Sequence, residues 1–265
     1  MSIKMLTFAK NQQINCINIM RYRTIAALTV LLLCASCQHI TKKELEQTKG
    51  AETGQLVKNP KNIIRKHISI PSEFNYLTNL GCVDIIYTQG NYDIEVEGDS
   101  ALMNYLETNF DSNLLTVSIK SDGNSDLNLY GNTSNVKMYI SSPNLRCVSV
   151  CGNGNFESRG TWRSEDIQLG MIGTGSMKLT NVECNTFSLQ STDGESFSIA
   201  NLKADDAAIF STSTAHIEVA LNVNNLTILN EGKQIMKLTG TASKVLVKNS
   251  KDPNLTMEVT TPPVR

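Results

Sequence analysis

The chain has 265 residues, of which 18% are charged, and its formal net charge is -1. No basic block exists to neutralise phosphates, so composition excludes a nucleic-acid partner. One Trp and three His leave little material for aromatic platforms or histidine chemistry. The surface must be built from Asn, Ser, Thr and Gly, which favour turns and short strands over helices.

The N-terminus reads as an address label. Residues 1–19 precede Met20 and are expected to be a start-site overcall. Arg21-Tyr22-Arg23 is basic, residues 24–33 (TIAALTVLLL) are apolar, and Cys34-Ala35-Ser36-Cys37 follows at once. This order marks a secretory signal peptide over residues 20–36, too short to span a bilayer. The last four residues resemble a bacterial lipobox, although Cys34 stands where Leu is usual. The resemblance implies lipid on Cys37, which becomes the new N-terminus, and hence a membrane partner. One acyl chain anchors a protein only marginally, whereas two or more hold it stably. Residues 37–62 lack apolar periodicity and read as a flexible tether, in which His39 is solvated.

Short strands then follow one another. Residues 64–70 alternate, residues 83–87 form an apolar run, and Gln89-Gly90-Asn91 supplies a turn. Tyr92, Ile94 and Val96 share one face of the next strand. Residues 100–108 are the one helix-like stretch, with Ser100 as cap and Leu102, Met103 and Leu106 at helical spacing. Leu115, Val117 and Ile119 share a face of another strand, and residues 136–140 form a further one.

From about residue 146 the chain repeats with a period near twenty. Leu169 and Met177 recur as Leu189 and Phe197, then Ile209 and Ile217, Ile228 and Met236, and Val247 and Leu255. Counting back, the same positions hold Val148 and Phe156. Each unit reads as two short strands around a polar turn. No unit can bury its own apolar residues, so stacking must place Leu169, Leu189, Ile209 and Ile228 in one dry ladder. The expected fold is all-β: a right-handed parallel β-helix-like solenoid over residues 146–265, with about 20 residues per rung, preceded by a related β-rich half over residues 63–145. A β-sandwich also suits regular short strands, but it gives no reason for in-register apolar positions.

Two stretches carry a family resemblance. In residues 74–120 they are Val83-Asp84-Ile85, Gln89-Gly90, Val96-Glu97-Gly98-Asp99 and Leu115–Ile119. In residues 136–175 they are Pro143-Asn144-Leu145, Gly152-Asn153-Gly154 and Gly173-Thr174-Gly175. As a set they resemble the family called putative auto-transporter adhesin, head GIN domain, common in Bacteroidetes. Cys151 and Ile172 stand where Ser often precedes the Gly, and the later turns lose the G-x-G form. The resemblance implies an elongated β-solenoid with no catalytic residue set.

Gly152-x-Gly154 and Gly173-x-Gly175 lack the following helix of a dinucleotide fingerprint and are expected to provide positive φ at solenoid corners. Glu165-Asp166, Glu183, Asp193, Glu195 and Asp205-Asp206 recur about twenty apart. A polysaccharide-active enzyme or a Ca²⁺ site could use such a corner, but so could solvated turns, and basic partners are not evident. His67 and His216 have no companion ligand at metal spacing. No catalytic residue, metal or cofactor is expected. Of the seven Cys, Cys16 and Cys34 are lost with the export segment and Cys37 carries the lipid, which leaves Cys82, Cys147, Cys151 and Cys184 as buried thiols or as disulfides. Asp99-Ser100-Ala101 resembles a short O-glycosylation motif, which would place glycan on Ser100.

The expected function is therefore a non-catalytic cell-envelope lipoprotein in the outer membrane, an adhesin or glycan- or matrix-binding module whose Asn, Thr and Ser side chains suit sugar hydroxyls. A periplasm-facing structural or envelope-signalling lipoprotein is the alternative, because residues 38–43 are neutral to basic where surface-exposed lipoproteins tend to be acidic.

Overall fold

The computed structural model describes residues 62–100, 102–119, 136–192, 194–233, 235–248 and 255–261. The export segment, Cys37, the tether with His39, and Asp193 lie outside these residues. All described residues belong to one compact unit, Ala51–Arg265.

The repeating part consists of long bent strands: β9 (Phe156–Met171), β10 (Met177–Ser191), β11 (Ser196–Ser211), β12 (His216–Asn230), β13 (Met236–Lys248) and the shorter β14 (Leu255–Thr260). Neighbours pair in parallel and in register, so Leu189 lies between Leu169 and Ile209, and Ile228 follows. The stacking read from the period is therefore observed, and the sandwich reading is not.

The inward alternation of each long strand is interrupted twice, as between Leu179 and Val182 and between Val182 and Phe187 in β10, which divides the rung into three faces. In β10 the first face is Met177–Leu179, the middle face Val182–Cys184 and the third face Phe187–Ser191. The two-strand unit read from the sequence lacked the middle face. Its inward column, Trp162, Val182, Leu202 and Leu221, is buried and in register. These residues share the period of twenty, so the signal was present but sat in what looked like a polar link.

The N-terminal strands extend the first and third faces: β1 (Ile63–His67), β2 (Tyr76–Asn79), β3 (Asp84–Gln89), β4 (Asp93–Asp99), β5 (Leu106–Asp111), β6 (Leu114–Ile119), β7 (Val136–Ser142) and β8 (Cys147–Val150). On the third face the spatial order is β5-β6-β2-β8-β9, and on the first it is β1-β4-β7-β3-β9. The rung made by β2 and β3 thus lies between the β6–β7 rung and the β8–β9 rung. One inward ladder runs through both halves: Leu115, Leu77, Val148, Leu169, Leu189, Ile209 and Ile228, none more than 1% exposed. Each such side chain contributes about 1.5–3 kcal/mol by leaving water.

Two local expectations are corrected. The helix over residues 100–108 is only a 3-10 turn at Leu102–Asn104, followed by β5. Here β4 and β5 form a reversed rung, antiparallel to β7 and β6, so the chain needs a corner rather than a helix. Leu102 and Met103 are buried in that corner, and Leu106 instead pairs with Ile119 across the strands. The first strand stops at His67 instead of continuing to residue 70.

Candidate functional site

The turns that close each rung stack like the strands. Gly154 N donates to Gly81 O at 3.0 Å, Gly175 N to Gly152 O at 3.0 Å, and Glu195 N to Gly175 O at 3.1 Å. Backbone contacts backbone there, which leaves no space for side chains. A Cβ on Gly152 would meet Gly81 O at 2.5 Å, and one on Gly173 would meet Gly152 O at 2.5 Å. Those on Gly154 and Gly175 would overlap Val83 O and Gly154 O. Of these four glycines only Gly173 has a positive φ, 123°. The expectation of positive φ is therefore corrected at the other three: close approach selects glycine there. Both G-x-G turns lead into strands, β9 and β10, and so make no phosphate cradle.

The corner between middle and third faces and the middle face beside it hold Glu165, Asp166, Glu183, Asp205 and Asp206, whereas Glu195 lies in the turn before β11. Asp166 and Asp206 share one column, with Thr186 between them. Arg146 Nη2 donates to Glu165 Oε2 at 3.2 Å and to Asp166 Oδ2 at 3.1 Å. Arg163 Nε donates to Glu183 Oε2 at 2.9 Å. Asn224 and Asn225 donate to Asp205 Oδ1 at 2.9 Å and Asp206 Oδ1 at 2.8 Å. The sequence showed no basic partner, and Arg146 and Arg163 correct that. They stand about twenty residues before their acids, hence one rung below. Such exposed pairs add ~0–1 kcal/mol each and organise the surface more than they stabilise it. Among the described residues, no group of three His, Cys, Asp or Glu side chains could hold a metal ion.

The histidines lie apart from this corner. His67 Nδ1 is 3.2 Å from Asp93 Oδ1, a carboxylate that the pairing of β1 with β4 brings beside it; both side chains are exposed. Exposed His216 opens β12. Ser100 sits half-buried after β4, where its N–H donates to Asn62 O at 2.9 Å, and Asn62 Nδ2 approaches its hydroxyl at 3.5 Å.

None of the four described cysteines is in a disulfide. Cys82 and Cys147 are buried, and Cys151 and Cys184 half-buried. Burial pushes the Cys82 thiol up, and the Cys147 thiol up to about 11. Burial first, then Asp166 and Asp205, pushes Cys184 up to about 12. These thiols are protonated, and hence poor nucleophiles, at neutral pH. Because their folded pKa values exceed the unfolded ones, their contribution is intact below about pH 8.5. It is lost as pH rises towards 11 and 12, since the unfolded chain releases its protons first. The double variant Cys147→Ala, Cys184→Ala should therefore show a flatter loss of unfolding free energy between pH 8 and pH 11 than the parent chain, by up to ~1.4 kcal/mol per pH unit for buried Cys147 and by less for Cys184, which solvent partly screens. Parallel pH profiles would refute this account.

Outward faces differ in charge. The first face presents Glu157, Lys178, Glu218 and Lys237 on successive or near-successive strands. The third face presents Tyr76, Gln168, Ser188, Phe210 and Thr227, all neutral.

Residues 73–197 match the family model described as putative auto-transporter adhesin, head GIN domain. Among solved structures, the chain resembles that of a putative adhesin from Bacteroides fragilis, with a TM-score of 0.54 at 15% identity over 80% of this chain and 98% of that one. It also resembles that of a putative lipid binding protein from Parabacteroides distasonis, with a TM-score of 0.52 at 15% identity over 80% of this chain and 100% of that one. At such identities the likeness is one of fold. No curated protein matches the sequence. Among the described residues, no helix is long and apolar enough to cross a membrane.

Proposed function

We propose that this chain, whose residues 73–197 match the family model described as putative auto-transporter adhesin, head GIN domain, is a non-catalytic, lipid-anchored adhesion module of the cell envelope. The observation that carries this reading is the state of the corner carboxylates. Glu165, Asp166, Glu183, Asp205 and Asp206 each meet an Arg or Asn partner from an adjacent rung. They act as a bonded surface lattice, whereas a hydrolytic pair would have one acid held protonated beside a free carboxylate. What the surface offers instead is rows of Asn, Thr, Ser and Gln at the strand spacing, groups that suit the hydroxyls of glycan or the backbone of a matrix protein. The Cys34-Ala35-Ser36-Cys37 sequence supports lipid on Cys37 as the anchor.

The neutral to basic stretch at residues 38–43 favours a second reading, an envelope protein on the periplasmic face. Protease treatment of intact cells, with a lysed control, separates the two. Digestion in intact cells supports adhesion from the outer surface, while protection until lysis overturns it. Labelling with palmitate tests the anchor. Label should be present in the parent chain and absent in Cys37→Ser, and equal labelling would sink lipidation at Cys37.

A further inference from the structure

The third face carries two outward positions on each strand, between the inward residues of the ladder. On β6, β2, β8, β9, β10, β11 and β12 these positions hold no Asp, Glu, Lys or Arg. Lys248 on β13 is the first charge met on these columns in that direction, and Asp111 on β5, paired with Leu114, is the first in the other. Depletion of charge, rather than hydrophobicity overall, is what marks the core of a protein–protein interface. Large side chains lie at both ends: Leu114 and Tyr76 at one, Phe210, Leu229 and Leu246 at the other. Small ones lie between, where Thr78, Ser149 and Gly170 are buried as a floor. Tyr76 and Leu246 are each 44% exposed, two of the most exposed large apolar side chains in the described residues.

We propose that this face pairs with the same face of a second copy of the chain across a two-fold axis. The axis passes between β9 and β10 and runs the two solenoids antiparallel. It sets β6 over β13, β2 over β12, β8 over β11 and β9 over β10 of the other copy. Each outward column then faces itself: Leu114 covers Leu246, Tyr76 covers Thr227, Leu229 covers Thr78, Phe210 enters the space above Ser149, and Gln190 lies over Gly170. Each large side chain at one end meets an apolar or a small partner, so one patch is complementary to itself, as an isologous interface demands. Eight strands at ~4.8 Å spacing, each presenting about five residues at ~3.3 Å rise, give a footprint of about 600 Å² per copy. The pair therefore buries about 1,200 Å², which clears the ~1,000 Å² expected of a specific interface. The first face is the poorer candidate, because it would bury a central row of charges, Glu157, Lys178, Glu218 and Lys237, whose ion pairs, Glu157 with Arg159 and Glu218 with Lys237, do not repay the desolvation, whereas the third face brings in only Lys248, at its rim.

Sedimentation velocity of the purified chain tests the proposal. The parent chain should sediment with twice the monomer mass, and Phe210→Lys or Leu246→Glu should each halve it. Both substitutions change outward positions, so the circular dichroism spectrum and unfolding midpoint should stay as in the parent. Tyr76→Cys combined with Thr227→Cys should give a disulfide-linked dimer on oxidation, a result only this register produces. A parent chain that is monomeric up to its solubility limit overturns the proposal. So does a dimer indifferent to Phe210→Lys. A monomer that loses polysaccharide binding on Phe210→Lys would assign the face to ligand and equally overturn it, while leaving the adhesion reading standing.

Discussion

Trp162→Ala is expected to destabilise the fold by about 3–5 kcal/mol, the largest effect of any single side-chain truncation considered. Trp162 is the sole Trp, 1% exposed, and it fills the middle face of the rung where the repeating part joins the N-terminal strands. Its ring stands edge-on to Tyr87 at 5.1 Å and 6.0 Å from Phe156. Such pairs add ~0.5–1.5 kcal/mol beyond area burial. Its Nε1–H donates to Leu145 O at 2.9 Å, and Tyr87 OH donates to Ser142 O at 2.9 Å. The cluster therefore ties the link between β7 and β8 to the solenoid interior. Trp162→Phe keeps a ring but leaves a buried carbonyl unpaired, for which about 1–3 kcal/mol is expected. Urea unfolding followed by circular dichroism checks both. A loss below 1 kcal/mol for the alanine variant would show that the cluster is not central to the core.

The second large effect concerns the stacked turns. In Gly175→Ala the new Cβ would overlap Gly154 O and stand 2.9 Å from Val150 Cγ1. Neither contact can be relieved without pulling two turns apart, and about 2–3 kcal/mol of destabilisation is expected. Gly160 provides the control. Its φ is 72°, but nothing lies within 4 Å of where its Cβ would be. Gly160→Ala should cost only the left-handed backbone penalty, about 1 kcal/mol. Gly240 combines both, with a φ of 118° and a Cβ position that overlaps Leu221 O, so Gly240→Ala should exceed either. The thermal midpoints of the three variants should fall in the order Gly160, Gly175, Gly240. A larger loss at Gly160 than at Gly175 would mean that backbone conformation, not close approach, governs these turns.

The period of twenty was enough to find the solenoid, because in-register stacking leaves apolar residues at a constant spacing, as Leu169, Leu189 and Ile209 show. It was not enough to find the middle face. Val182 and Leu202 lie among Asn, Glu and Lys, and two apolar residues bounded by polar ones look like a turn. The helix expected over residues 100–108 failed for a related reason. Leu102, Met103 and Leu106 sit at helical spacing, yet a corner that buries two residues and a strand that half-buries a third give the same spacing. Of the candidate site, the carboxylates were legible and their partners were not, since Arg146 and Arg163 become neighbours of their acids only when one rung lies on the next.

By itself, then, the sequence determined the all-β class, the rung length and the inward ladder, because these follow from local alternation and a repeat that any stacking must respect. Only the tertiary structure decided the order of the N-terminal rungs. The β2–β3 rung is first in sequence, yet it is held between two later rungs, and β4 and β5 run in reverse. Strands of similar length and pattern could pair in several orders. The choice rests on long-range packing around Tyr87, Phe156 and Trp162, which no local pattern encodes. The neutrality of the third face was likewise invisible along the chain, because its outward positions come from strands on both sides of residue 146 and become one surface only when the rungs stack.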